Sequence, residues 1–131
     1  MSLDDVIYEQ IGLAHSDARR DLHTPFNGNL DKYGFSNAQQ AKLAVLKENT
    51  ILGCHYHTYC EFFYLVSGEG VFTLQDMDTK ETRNYNMKPG TILSIPPRIP
   101  HKAQLQSGSI LFAITSEMYV SPKVNDLKYS F

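Results

Sequence analysis

His55 and His57 stand one residue apart in the stretch GCHYHTYCEFFYLVSGEG, Glu61 follows four positions after His57, and His101 ends the proline-rich segment IPPRIPH. Neutral imidazole nitrogens and a carboxylate suit a divalent transition metal such as Fe, Mn, Ni, Co, Cu or Zn, with positions left open for water or substrate. On an extended strand alternate side chains share a face. His55 and His57 therefore project to one side, about 7 Å apart along the chain, with Tyr56 on the other. Glu61 opens the next strand after a bend at TYC, and if that strand folds back its carboxylate returns toward the imidazoles. Pro96, Pro97 and Pro100 restrict the turn ahead of His101, the candidate fourth ligand at the start of a further strand. A bare carboxylate beside Phe63 and Leu65 is costly to bury, which favours a cation there. The competing reading makes all four residues hydrogen-bonded polar groups of a barrel that holds no metal.

Positioning such residues falls to short strands. The apolar runs KLAVLKEN, CEFFYLVSG, GVFTLQD, TRNYNM, GTILSIP, HKAQLQS and SILFAITSEMYV are each bounded by Gly, Pro, Asn, Asp or Ser, the pattern of an all-β sandwich or barrel. SNAQQAKLAVLKEN carries good helix formers, yet strand is expected after Gln40 because neighbouring strands and burial override local propensity. Within CEFFYLVSG, Glu61, Phe63 and Leu65 share one face and Phe62, Tyr64 and Val66 the other. Ile7 to Ala14 fits a strand or a single helical turn, and HTPFNGNLDKYGF is turn-rich and expected to wrap the surface.

The chain has 131 residues, room for one domain with one substantial core. Its formal net charge of −2 offers no basic face for nucleic acid or an anionic membrane. No apolar run approaches a membrane span, and MSLDDVIYEQ lacks the features of a secretory signal, so a cytoplasmic protein is the expectation. The two cysteines, Cys54 and Cys60, rule out a disulfide framework and fit a reducing compartment, although one bridge between them stays open. Both are expected to be small outward-facing or core residues, on the opposite parity to the histidine pair.

The two ligand-bearing segments resemble the paired motifs of the cupin superfamily. The first reads Gly53, His55, Tyr56, His57, TYC, Glu61, FFYLVS, Gly68; the second reads Gly90, TILSI, Pro96, PRIP, His101. The resemblance runs from about Lys42 to Thr115 and implies an all-β double-stranded β-helix, a cupin jelly-roll barrel with the metal inside one mouth. The division it suggests is an N-terminal extension, residues 1–35, packed on the barrel or a partner, and a cupin domain over residues 36–131. Arg98 stands where cupins often have glycine, so it must avoid a positive φ or bear strain. The usual Asn after the second motif's histidine is not evident, and Gln104 lies three positions beyond it.

The run AVLKENTILGCHYHTYCEFFYLVSGEGVFTL, with the terminal NDLKYSF, is further similar to small cupins of nucleotide-sugar and surface-polysaccharide biosynthesis, including sugar ketoisomerases. That likeness implies His55 and His57 as acid and base on a keto sugar, with Tyr64 or Tyr59 as an additional donor; histidine titrates near neutrality, as the task needs. The chain lacks the arginine those enzymes carry ahead of the pair. Arg98, Gln104 and Tyr59 are the expected substrate contacts, Arg98 and Lys102 being placed to meet an anionic group or simply to remain solvated. His15 and His23 are expected at the surface. The function implied is a metal-binding enzyme on a small oxygenated substrate such as a sugar derivative, by isomerase, epimerase or dioxygenase chemistry. The alternative is a non-catalytic cupin that binds or senses a sugar or organic anion. Small cupins commonly pair through their N-terminal strands, so a homodimer is expected.

Overall fold

A computed structural model describes residues 2–131. Its strands, in chain order, are β1 (Ile7–Gln10), β2 (His15–Ser16), β3 (Asp21–Leu22), β4 (Gln40–Val45), β5 (Thr50–Tyr56), β6 (Glu61–Ser67), β7 (Gly70–Gln75), β8 (Thr82–Met87), β9 (Thr91–Ile95), β10 (His101–Leu105), β11 (Ile110–Thr115) and β12 (Leu127–Lys128). Among the described residues helix is confined to short turns and one four-residue α-helix, α1 (Pro122–Asn125). Among the described residues no helix is long and apolar enough to cross a membrane.

Two five-stranded antiparallel sheets face each other, one in the order β1-β9-β6-β11-β4 and the other β12-β5-β10-β7-β8. This is the all-β barrel that the apolar runs predict, in the jelly-roll form that the cupin resemblance implies. Phe63, Leu65, Leu93 and Leu111 of the first sheet meet Phe72, Leu74, Ala103 and Leu105 of the second in one continuous core. Each is an alternate residue of its strand, so the pleat alone selects the inward set. The helix-leaning segment is strand over Gln40–Val45, paired residue for residue with Ile110–Thr115 of β11. Six ladder pairs outweigh a propensity difference of a few tenths of a kcal/mol per residue.

Parts of the N-terminal segment pack on this chain's own barrel, while β2 and β3 pair only with each other. β1 completes the edge of the first sheet by pairing with β9, and Leu30 and Phe35 are buried against Phe62, Tyr64, Ile92 and Ile114 on that sheet's outer face. Strand β9 is consequently buried along its whole length. Gly68 must be glycine: its φ is 89°, and a Cβ there would lie 2.1 Å from Oγ of Ser109.

Candidate metal centre

β5 and β10 lie side by side with His55 opposite His101, and between this pair and the next the register slips by one residue, since Lys102 faces Gly53 and Cys54 is left over. Gly53 (φ 94°) and Cys54 (φ 62°) both take left-handed backbone at this bulge. A bulge re-aims the side chains beyond it, and here it brings Leu52, His55 and His57 to one cavity while Cys54 remains exposed. A Cβ on Gly53 would meet the His101 carbonyl oxygen at 2.7 Å, so the close approach of the two strands needs this glycine. Both cysteines are free thiols.

The three imidazoles converge, with donor nitrogens within 4.8 Å of one another. Oε1 of Glu61 lies 3.1 Å from Nε2 of His57 and 3.2 Å from Nε2 of His101. His57, Glu61 and His101 are buried, and His55 is partly so. The far side of each ring is also committed. Nδ1 of His57 donates to the Asn125 carbonyl at 2.9 Å, and Nδ1 of His101 donates to the Ile99 carbonyl at 3.1 Å. Nδ1 of His55 lies 3.3 Å from Oδ2 of Asp126, whose other oxygen is 3.6 Å from Nδ1 of His57.

These outer contacts fix the tautomers. A carbonyl or carboxylate oxygen only accepts, so the proton of each neutral ring sits on Nδ1 and Nε2 presents a lone pair to the centre. At Glu61 lone pair then faces lone pair. Its Oε1 is buried with no hydrogen-bond partner despite two nitrogens at contact distance. Two species relieve that conflict: a second proton on an imidazole, or a metal cation between the groups. The donor set, three imidazole Nε2 atoms and one carboxylate, fits a divalent transition metal.

The electrostatics follow from the same contacts. Burial pushes the pKa of His55 down to about 4, with the neighbouring His101 and His57 charges adding to the shift. Burial also opposes a charge on His57, but its contact with Glu61 outweighs it and the net pKa is raised. Burial alone would raise Glu61, yet His101 and His57 hold it well below the usual carboxylate range. Tyr119 is raised to about 12 by burial and then by Asp126, which accepts its hydroxyl at 3.1 Å.

The remaining expected site residues fall elsewhere. Tyr64 corrects the sequence reading: it lies on the face of β6 opposite Glu61, fully buried, with its hydroxyl 2.7 Å from Nδ1 of His23. Strand alternation is the reason, since Glu61 and Tyr64 differ by an odd number of positions. His23, expected at the surface, is half-buried through this contact, whereas His15 is exposed beside Asp17. Gln104 is exposed on the outer face of β10, again by parity with His101. Arg98 is exposed and takes a φ of 66°, so the loop keeps the left-handed turn without glycine. Its side chain does not line the cavity, but its N–H donates to the His57 carbonyl at 2.7 Å and ties the loop to the ligand strand. Tyr59 is buried and stacked on His57, with ring centroids 4.6 Å apart, and supports that ring from outside the cavity.

Sequence reading missed the C-terminal contribution. Tyr119, Asn125 and Asp126 surround the outer edges of His55 and His57, and β12 pairs Leu127 with Tyr56 and Lys128 with His55. The terminal NDLKYSF marks this segment in the chain, but no local pattern links it to histidines about 70 positions earlier. The cavity beside the centre measures about 380 Å³, within the range of small-molecule sites, and much of its lining is apolar, including Phe63, Phe72, Ala103, Leu111 and Ala113.

Comparisons with known proteins agree with this geometry. The family model described as Cupin domain matches residues 42–114. Among curated proteins, the chain is 34% identical over 70 residues to an acireductone dioxygenase of Bacillus pumilus, covering 50% of this chain and 39% of that protein. It is 36% identical over 63 residues to a 3-hydroxyanthranilate 3,4-dioxygenase of Xanthomonas campestris pv. campestris, covering 48% and 35%. The matches thus span well under half the length of these relatives. Among solved structures, QdtA, a sugar 3,4-ketoisomerase from Thermoanaerobacterium thermosaccharolyticum in complex with TDP, aligns over 97% of this chain and 90% of its own at TM-score 0.75 and 16% identity. ChmJ, a 3'-monoepimerase from Streptomyces bikiniensis, aligns over 92% and 68% at TM-score 0.76 and 19% identity. At these identities the structural likeness establishes the fold.

Proposed function

This chain belongs to the cupin family, and from its centre we propose a metal-dependent enzyme of dioxygenase type acting on a small oxygenated substrate. The observation that carries the reading is the buried Oε1 of Glu61, without a hydrogen-bond partner and facing the Nε2 atoms of His57 and His101. A bound transition metal would supply Lewis-acid and redox chemistry at that point. His55, His57, His101 and Glu61 would hold it, with Asp126 and the Asn125 and Ile99 carbonyls keeping the three Nε2 atoms aimed inward. The apolar wall would exclude water around the reacting atoms and leave few groups able to divert a proton. The two dioxygenase relatives support the same direction.

The test is elemental analysis of the purified protein, followed by oxygen-uptake assays on small enolic and aromatic substrates after reconstitution with single metals. About one transition-metal ion per chain and metal-dependent oxygen uptake are expected. A second reading rests on a different observation. The rings of His55 and His57 have centroids 4.4 Å apart and pKa values driven in opposite directions, as an acid–base pair requires. Turnover of a keto-sugar nucleotide by chelated protein would favour it. Ligand binding with neither activity would favour a binding or sensing module.

The same proposal takes the protein to be cytoplasmic, in keeping with its two free thiols, and to act on small molecules rather than nucleic acid or membrane. It also takes the protein to be a homodimer. Leu43 and Val45 on the outer face of β4 are 68% and 61% exposed and extend the apolar outer surface that the N-terminal segment covers only in part. Light scattering behind size exclusion should give twice the chain mass, and a monomer at micromolar concentration would reject the dimer.

A further inference from the structure

Among the described residues lining the cavity, Lys42 is the one lysine or arginine. It lies on β4, where half-buried Gln40, Lys42 and Ala44 alternate with exposed Ala41, Leu43 and Val45. The pleat therefore turns Lys42 inward. Register places it in a row across the sheet, Lys42 opposite Ala113 and Ala113 opposite Phe63, with Glu61 one inward step further along β6. Two strand spacings and one such step put the α-carbons of Lys42 and Glu61 about 12 Å apart. The lysine side chain spans part of that distance and leaves a gap suited to a short or single-ring molecule.

Its ammonium has no carboxylate partner among the described residues. It is held instead over the Tyr119 ring, 4.5 Å from the centroid, and that tyrosine's hydroxyl is fixed by Asp126. A lysine turned toward a cavity and pre-oriented by an aromatic face, with no internal counter-charge, can accept one from a ligand. The cavity wall between it and the centre is Phe63 and Ala113. Hydroxyl groups lying against that wall would lose water without gaining partners, which disfavours a polyhydroxylated ligand.

We propose that Lys42 is the anion anchor of this cavity and that its ligand is a small organic acid. The carboxylate pairs with Lys42 at the β4 edge, a largely apolar body lies along Phe63 and Ala113, and the oxygenated end reaches the four-ligand centre. This assignment rests on the reading of the cavity as a metal-dependent ligand site and adds to it a substrate class and a specificity residue.

The experiment is calorimetric titration of benzoate and of its neutral isostere benzamide into wild-type protein, Lys42→Met and Lys42→Arg, each in zinc-loaded and chelated form. Wild type should bind benzoate at least about tenfold more tightly than benzamide, the value of one effective ion pair. Lys42→Met should reduce that preference to within about twofold at unchanged zinc content, and Lys42→Arg should retain most of it. Equal binding of acid and amide by wild type, or a preference that survives Lys42→Met, overturns the proposal. Should Lys42→Met fail to fold, Lys42→Gln serves the same comparison. If the protein takes up no zinc while the chelated form keeps a Lys42-dependent preference, the metal reading fails and the anchor stands. If zinc binds and the preference is missing, the anchor fails alone.

Discussion

Asp126, from the C-terminal segment, sets Oδ2 3.3 Å from Nδ1 of His55, a residue of the opposite end of the barrel sequence. The carboxylate keeps the proton on Nδ1 and leaves Nε2 free for the centre. Its other oxygen is buried without a hydrogen-bond partner, 3.6 Å from Nδ1 of His57, so one side chain addresses two candidate ligands. Replacing Asp126 with Ala should weaken metal binding by about 10- to 100-fold, the usual effect of losing an outer partner, with the fold intact. Competition against a chromophoric chelator gives the affinity directly. An unchanged affinity would deny Asp126 an orienting role.

Removing one of the inner donors has a larger effect. His57→Ala deletes a buried nitrogen at the centre and the contact that lowers the pKa of Glu61. Metal content by mass spectrometry should fall to near zero. Full occupancy in this variant would reject His57 as a ligand.

The chelated protein should lose stability on acidification from about pH 6.5 toward 4. His55 has its folded pKa pushed down to about 4 from an ordinary 6.5. In that window the unfolded chain binds the proton more readily, so stability is fully present above 6.5 and declines as pH falls. Glu61, whose folded pKa is lowered, adds a loss of the same sign, felt below its ordinary value of 4.5. His57 acts in the opposite sense: its raised pKa contributes stability below 6.5 that disappears as pH rises through the folded value. Urea denaturation across pH 4 to 7 should therefore show a shallower slope in His55→Gln than in wild type. Identical profiles would place the buried charge elsewhere.

Tyr64→Phe separates the two faces of β6. It removes a hydroxyl held by His23 on the outer face and leaves the inner wall untouched. Stability should fall by about 0.5–1.5 kcal/mol, the ordinary worth of one hydrogen bond, with metal content and ligand affinity unchanged. A drop in metal affinity would return Tyr64 to the site.

Much of the fold is legible in the chain because strands report themselves locally. Turn residues such as Gly68 and Gly90, and apolar alternation in between, mark β6 to β10 within two residues, whereas the apolar runs overshoot the C-terminal ends of β4, at Val45, and β11, at Thr115. The same alternation separates Glu61 from Tyr64 and places His101 and Gln104 on opposite faces, so a parity count of β6 and β10 already assigns Tyr64 and Gln104 outward. The bulge at Gly53–Cys54 is harder to read. Only pairing against β10 shows that the strand slips by one residue, and the slip is what lets Leu52 and His55 share a cavity.

By itself the sequence singles out the candidate donors, since His55, His57, Glu61 and His101 lie in two motifs whose spacing matches strand geometry and a rigid proline turn. It also determines the all-β class, because period-2 patterning is a property of neighbours along the chain. Tertiary structure alone decides which groups stand behind and beside those donors: Asp126 and the Asn125 carbonyl at the imidazoles, Tyr119 under Lys42, and the apolar wall between Lys42 and Glu61. The physical reason is range. A strand's alternation is written in adjacent residues, whereas a contact between two sheets or across 70 positions depends on how the whole barrel closes.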